Sequence, residues 1–214
     1  MRRVALLHTG AVVIPTFAAL TKEHWPSIEV VNLLDDRIVA DLSAEERRTS
    51  VPDRLRELVS AARAGGAEAV VLTCSSISGE AAGVAAEVGI PVLRIDEAMA
   101  DQAAAIGGRI AVIATLPTTL EPTCRLLAER VALAGAEAQI ERVLVEGAFS
   151  AVAGGDREEH DRLVEAAVSA AAARADVVVL AQASMASAAG GDYPVPVLSS
   201  PLPGVLRVKE VLGL

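Results

Sequence analysis

Short apolar runs alternate along this chain with longer stretches in which apolar positions recur every third or fourth residue. The short runs read as β-strands at Arg3–His8, Glu29–Leu33, Ala69–Thr73, Val92–Ile95, Arg109–Ala114, Ala138–Val143, Val177–Ala181 and Val195–Leu198. The longer stretches read as helices at Pro15–Glu23, Ala44–Ala64, Ser78–Val88, Glu97–Ile106, Thr118–Ala134, Arg157–Ala173, Met185–Ala189 and Gly204–Leu212. Strand–helix alternation of this kind predicts an α/β fold, a parallel sheet with helices on both faces.

The pattern occurs twice. AEAVVLTCSS (67–76) is matched by ADVVVLAQAS (175–184), RRVALLHT (2–9) by GRIAVIAT (108–115), and IPVLRI (90–95) by VPVLSS (195–200). IPTF (14–17) resembles EPTC (121–124), and the offset stays between 105 and 108 throughout. Two doubly wound halves related by a pseudo-twofold axis, facing each other across a cleft, are therefore expected. The first comprises 1–97 plus 202–214 and the second 98–201. Ligands of open parallel sheets bind at the carboxyl ends of the strands. Those ends carry His8 and Thr9; Cys74, Ser75 and Ser76; Thr115 and Thr118; and Gln182, Ala183 and Ser184. Hydroxyls and helix-starting N–H groups at such ends suit a carboxylate.

Composition narrows the partners. The chain is 52% hydrophobic, with only two Phe, one Tyr and one Trp, so Ala, Val and Leu build the core and a small ligand is favoured. A net charge of −9 argues against nucleic acid and anionic membrane. No apolar run reaches the length of a membrane span. Two cysteines 50 residues apart and no export signal predict a reduced, cytoplasmic protein. Pairing of two chains as a homodimer stays open.

Cys74 follows a buried strand and precedes a helix whose N-terminus would favour the thiolate. Cys124 aligns with Phe17 inside a helix and reads as core. His8 suits an acid, a base, an anion ligand or a satisfied strand-end imidazole. His24 and His160 read as solvated, and no histidine spacing suggests a metal site. The Gly-rich pieces contain neither GxGxxG nor GxxxxGK[ST]. Gly154–Gly155 with Asp156 reads as a turn capping the following helix. Asp35, Asp36 and Asp41 read as a polar loop, and Glu45–Arg48 with Arg54–Glu57 as a solvated helix face.

The segment VVLTCSSIS, paired with a second strand-end loop about 108 residues later in a twofold-repeated chain, resembles the aspartate/glutamate/hydantoin racemase superfamily, which also holds maleate isomerases and arylmalonate decarboxylases. The resemblance covers essentially the whole chain. It implies a cofactor-independent isomerase or lyase with its site between two flavodoxin-like halves. In such racemases one thiolate takes the α-proton while a thiol from the other half returns one to the opposite face. Cys74 matches the first of these cysteines, Ser75 and Ser76 the residues after it, and Thr9, Thr115 and Thr118 the loops that hold the substrate. Gln182, followed by Ala183 and Ser184, stands where the second cysteine belongs. An amide does not exchange protons near neutral pH, so its role would be to donate a hydrogen bond to an enolate-like intermediate. The alternatives are a decarboxylase or cis–trans isomerase of the same superfamily, or a small-carboxylate-binding protein without turnover.

Overall fold

The computed structural model describes residues Arg2–Gly213. By its internal contacts the chain forms two compact units, 1–95 with 201–214, and 96–200. The first contains β1 (Arg2–His8), α1 (Ile14–His24), β2 (Ile28–Leu34), α2 (Ile38–Ser43), α3 (Glu45–Arg48), α4 (Val51–Ala64), β3 (Ala69–Leu72), α5 (Ser75–Ser78), α6 (Ala81–Val88) and β4 (Val92–Arg94). The second contains α7 (Glu97–Ile106), β5 (Gly108–Ala114), α8 (Pro117–Leu133), β6 (Ala138–Leu144), α9 (Ala148–Ala153), α10 (Arg157–Ala172), β7 (Val177–Leu180), a 3-10 segment (Ala183–Gly190) and β8 (Val197–Ser199). The last helix, α11 (Pro201–Leu212), belongs to the first unit.

Each unit holds one four-stranded, all-parallel sheet, ordered β2-β1-β3-β4 in the first and β6-β5-β7-β8 in the second. The expected α/β architecture of two flavodoxin-like halves is what the chain adopts. The central strands explain themselves. Val-, Ile- and Leu-rich runs such as Ala69–Leu72 and Val177–Leu180 are buried along their whole length, as strands covered on both faces must be. The edge strands β2 and β6 mix half-buried and exposed residues and carry polar ones, because they have a neighbour on one side only.

In the first unit one sheet face packs Ala5, Leu7, Val70 and Leu72 against α4 and α6. α1 packs against α11, where the Trp25 indole N–H donates to Val205 O at 3.1 Å. In the second unit Ile110, Val112, Val177 and Val179 meet α7 and α8 on one face. Ala111, Ile113, Val178 and Leu180 meet α9 and α10 on the other.

Several local expectations need correction. The helix expected over Ala44–Ala64 breaks at Thr49–Ser50 into α3 and α4; the one expected over Ser78–Val88 starts only at Ala81, as α6, and a separate single turn, α5, precedes it. α2 and α9 have no counterpart among the helices the sequence pattern predicts. Asp41 is a buried residue of α2 rather than a loop residue. Its carboxylate accepts from Arg47 Nε at 2.7 Å and from Arg54 Nη1, and Arg54 also binds Asp35. Arg54 is thus a tie between elements and not a solvated face. Asp156 caps α10 as expected, its Oδ1 accepting from Glu159 N at 3.0 Å.

Candidate active site

In each sheet the chain leaves its first strand toward one face and its third toward the other. The gap between the carboxyl ends of these two neighbours is where an open sheet binds ligands. In the first unit these ends are His8–Thr9 after β1 and Thr73–Cys74 after β3. In the second they are Thr115 after β5 and Ala181–Gln182 after β7.

Cys74 and Gln182 occupy the same place in their own units. Leu72 pairs with Leu7 and Leu180 with Ile113 at the last rungs of the two ladders, and each site residue lies two positions farther on. Their backbones agree too, at φ −122°, ψ 121° for Cys74 and φ −125°, ψ 137° for Gln182. Both stand at the N-cap position of a following turn. The Cys74 carbonyl accepts from Ile77 N at 3.2 Å and from Ser78 Oγ at 3.0 Å, so the residue is fixed from behind. Its side chain is half-buried against the first unit's core. The helix expected after it is a single turn, so no long dipole acts on the sulfur.

His8 is fully buried beneath this loop. Nδ1 lies 2.8 Å from Thr73 Oγ1, and Nε2 lies 2.9 Å from Asn32 Oδ1. The Thr73 hydroxyl spends its one proton on Leu7 O at 2.9 Å, so it accepts from His8 Nδ1–H. A neutral ring requires the Asn32 amide to turn its nitrogen to Nε2, and a charged ring requires its oxygen; Asn32 can serve both. Either way both ring nitrogens are taken within the protein, which leaves none for a ligand. Of the readings open for His8, the geometry realises the satisfied imidazole. It ties the end of β1 to the residue preceding Cys74. Asn32 is the partner the sequence did not single out, although a lone polar residue inside VVNLL is a signal.

Burial lowers the His8 pKa, and the hydrogen bond to Asn32 only partly offsets this. The unfolded chain then binds a proton at a higher pH than the folded one. His8 contributes its full stability above the ordinary histidine value of about 6.5, and that contribution is lost as pH falls through the folded pKa. Unfolding free energy should therefore decline below about pH 6.5, with a shallower decline in His8→Asn. Urea titrations at several pH values measure it, and identical slopes for both proteins would refute it.

The second unit solves the same problem differently. Ala114 stands at the end of β5, and Thr115 makes the cross-strand tie instead. Gln182 Oε1 accepts from Thr115 N at 2.6 Å and from Thr115 Oγ1 at 3.0 Å. A backbone N–H can only donate, which fixes the amide with its oxygen inward. The Gln182 nitrogen is the end that can donate to a ligand. Thr118, at the second position of the 17-residue α8, has a buried Oγ1 that meets no partner among the described residues. Thr9, Ser75, Thr115 and Ala183 are buried, while Ser76, Thr118 and Ser184 are half-buried.

Cys124 is 2% exposed within the core under α8, as its alignment with fully buried Phe17 predicts, and burial pushes its thiol pKa up. His160 departs from expectation, being fully buried and not solvated. Among the described residues no group of three or more His, Cys, Asp or Glu side chains has metal-holding geometry, and no helix is long and apolar enough to cross a membrane.

Residues 7–205 match a family model described as Asp/Glu/Hydantoin racemase. No curated protein sequence matches the chain. Among solved structures, allantoin racemase from Klebsiella pneumoniae is similar at 19% identity and TM-score 0.74, covering 100% of this chain and 88% of that one. Glutamate racemase from Francisella tularensis, in complex with D-glutamate, is similar at 14% identity and TM-score 0.79, covering 99% and 81%. Picrophilus torridus aspartate racemase is similar at 14% identity and TM-score 0.73, covering 100% and 95%. At these identities the likeness is one of fold.

Proposed function

We propose that this chain, which belongs to the Asp/Glu/Hydantoin racemase family, is a cofactor-independent racemase- or isomerase-like enzyme acting next to the carboxylate of a small amino acid or dicarboxylic acid. The observation that carries this reading is that Cys74 and Gln182 stand at one register and in one backbone conformation, each on a strand-end loop of the kind where open parallel sheets bind ligands.

The Cys74 thiolate removes the proton on the carbon beside the carboxylate. The electron pair moves into the carboxyl group, giving an enolate-like intermediate. Gln182, its oxygen committed to Thr115, donates through its nitrogen to the developing charge. Thr9, Thr118, Ser75, Ser76, Ala183 and Ser184 supply hydroxyl and backbone N–H donors for the carboxylate, whereas Thr115, with both of its donors given to Gln182, orients that amide and is not itself a donor to the substrate. The buried, unpartnered Thr118 hydroxyl supports this assignment, because a ligand oxygen would satisfy it.

One thiol means one proton-transfer group on one face of the substrate. Protonation then returns mainly to the face from which the proton left. With single enantiomers of amino acids and hydantoins in D2O, exchange of the proton next to the carboxylate or ring carbonyl should outpace inversion several-fold. NMR reports the exchange and polarimetry the inversion. Equal rates would sink the single-thiol mechanism, since they require a second acid on the opposite face.

A second reading is favoured by Gln182 itself. An amide locked by Thr115 in place of a thiol suits a protein that binds a small carboxylate without turning it over. It predicts thermal stabilisation by the acid with no exchange in D2O.

A further inference from the structure

The buried stripes of α4 and α10 have identical spacing. Val51, Leu55, Val59 and Ala62 on α4 correspond to His160, Val164, Val168 and Ala171 on α10. At the first position of the stripe, one unit has valine and the other an imidazole. His160 is 0% exposed, and its Nε2 is buried with no partner among the described residues. An orphaned polar nitrogen in a core costs stability, so valine would be the better residue for packing alone.

What His160 does make is one hydrogen bond. Nδ1 lies 2.7 Å from Asp161 Oδ1. The same carboxylate accepts from Arg157 Nε at 3.1 Å and from Ser187 Oγ at 3.1 Å. Arg157 Nη2 in turn donates to Ser187 Oγ at 2.8 Å. Arg157, His160 and Asp161 lie in the first turns of α10, whereas Ser187 lies in the 3-10 segment Ala183–Gly190. That segment begins directly after Gln182 and is pinned to it by the bond from Met185 N to Gln182 O at 3.0 Å. Arg157 and Ser187 are exposed, and an exposed ionic contact alone holds a loop weakly. A buried donor behind the carboxylate removes its freedom to rotate away.

We propose that His160 is a positioning residue: by fixing Asp161 it holds the 3-10 segment on α10 and so sets the place of Gln182, Ala183 and Ser184. This rests on the reading above, in which those three residues contact the substrate. On this proposal the bond at Nδ1 offsets the cost of the orphaned Nε2.

Asparagine and valine separate the two nitrogens. In His160→Asn the side-chain amide can donate from the place of Nδ1 and carries nothing at that of Nε2. His160→Val puts into α10 what α4 has at the same position. Hydrogen–deuterium exchange at Met185, Ala186 and Ser187 is the primary readout, with thermal midpoint and kcat/KM alongside. In His160→Val, exchange at these amides should rise at least about tenfold while the thermal midpoint is kept or raised. In His160→Asn, exchange should stay within about threefold of the parent. With a substrate in hand, kcat/KM should fall in the valine variant and recover in the asparagine one. The proposal is overturned if exchange in His160→Val is unchanged, if both variants lose protection equally, or if protection falls throughout α10 and β7 together with the midpoint. If the exchange pattern holds while no carboxylic acid is bound or turned over, the positioning role stands and the proposed function fails.

Discussion

Replacing Cys74 by alanine is expected to lower turnover by about a thousandfold, the usual worth of a positioned proton-transfer group. Neither His8 nor Gln182 can take its place. His8 has both ring nitrogens engaged, and Gln182 is an amide with its oxygen committed to Thr115. The fold should survive, because the half-buried sulfur touches the edge of the core; the loss of stability should stay near about 1 kcal/mol. Steady-state kinetics on any substrate found in the D2O panel, with thermal unfolding as the control, measure both. Parent-like turnover in the variant would remove Cys74 from the mechanism. Iodoacetamide adds a second route to the same question. It should label Cys74 in the native protein and spare Cys124, which is 2% exposed, with its thiol pKa raised by burial. Loss of activity in step with Cys74 labelling favours the enzyme. Slow labelling with carboxylate binding intact favours the binder.

The largest expected effect on stability comes from a glycine on α11. Gly204 is buried on α11, and a Cβ there would overlap the Ile95 carbonyl oxygen and the Ile95 side chain. A carbonyl in the backbone cannot swing aside as a side-chain tip can. Gly204→Ala should therefore lift α11 from the first unit and cost about 2–3 kcal/mol, the upper range for overpacking. For a chain of this length that is a fall in thermal midpoint of roughly 5–10 °C. Gly79→Ala is the matched control, since nothing lies within 4 Å of an added Cβ there and φ is −62°. It should be neutral or slightly stabilising, because alanine restricts the unfolded chain. Equal midpoints for the two variants would show that α11 adapts without cost.

The sheets were legible because parallel strands buried on both faces must be written as unbroken apolar runs, and Ala69–Leu72 and Val177–Leu180 are such runs. The repeat then aligned Cys74 with Gln182, an alignment matched by the strand registers. Six-residue helices were invisible. Ile38–Ser43 and Ala148–Ala153 are less than two full turns, too short for a 3.6-residue period to declare itself. His160 reads as solvated, although it is buried, for a related reason. Its neighbours Glu158, Glu159, Asp161 and Arg162 give a charged local composition, yet its spacing of four from Val164 places it on the buried stripe. Partnerships such as Asn32 with His8, 24 residues apart, depend on which strands become neighbours, and composition does not encode that.

That α11 belongs to the first unit has a bearing on the order in which the molecule assembles. Residues 96–200 form one uninterrupted unit, complete once β8 has been made. The first unit spans 1–95 and 201–214, so its final helix is synthesised only after the whole of the second. Until then the surface of α1 that α11 covers, and the Trp25 indole that donates to Val205 O, have no cover from that helix. Of the two units, the one begun earlier is thus the one completed later, when Gly204 comes against Ile95.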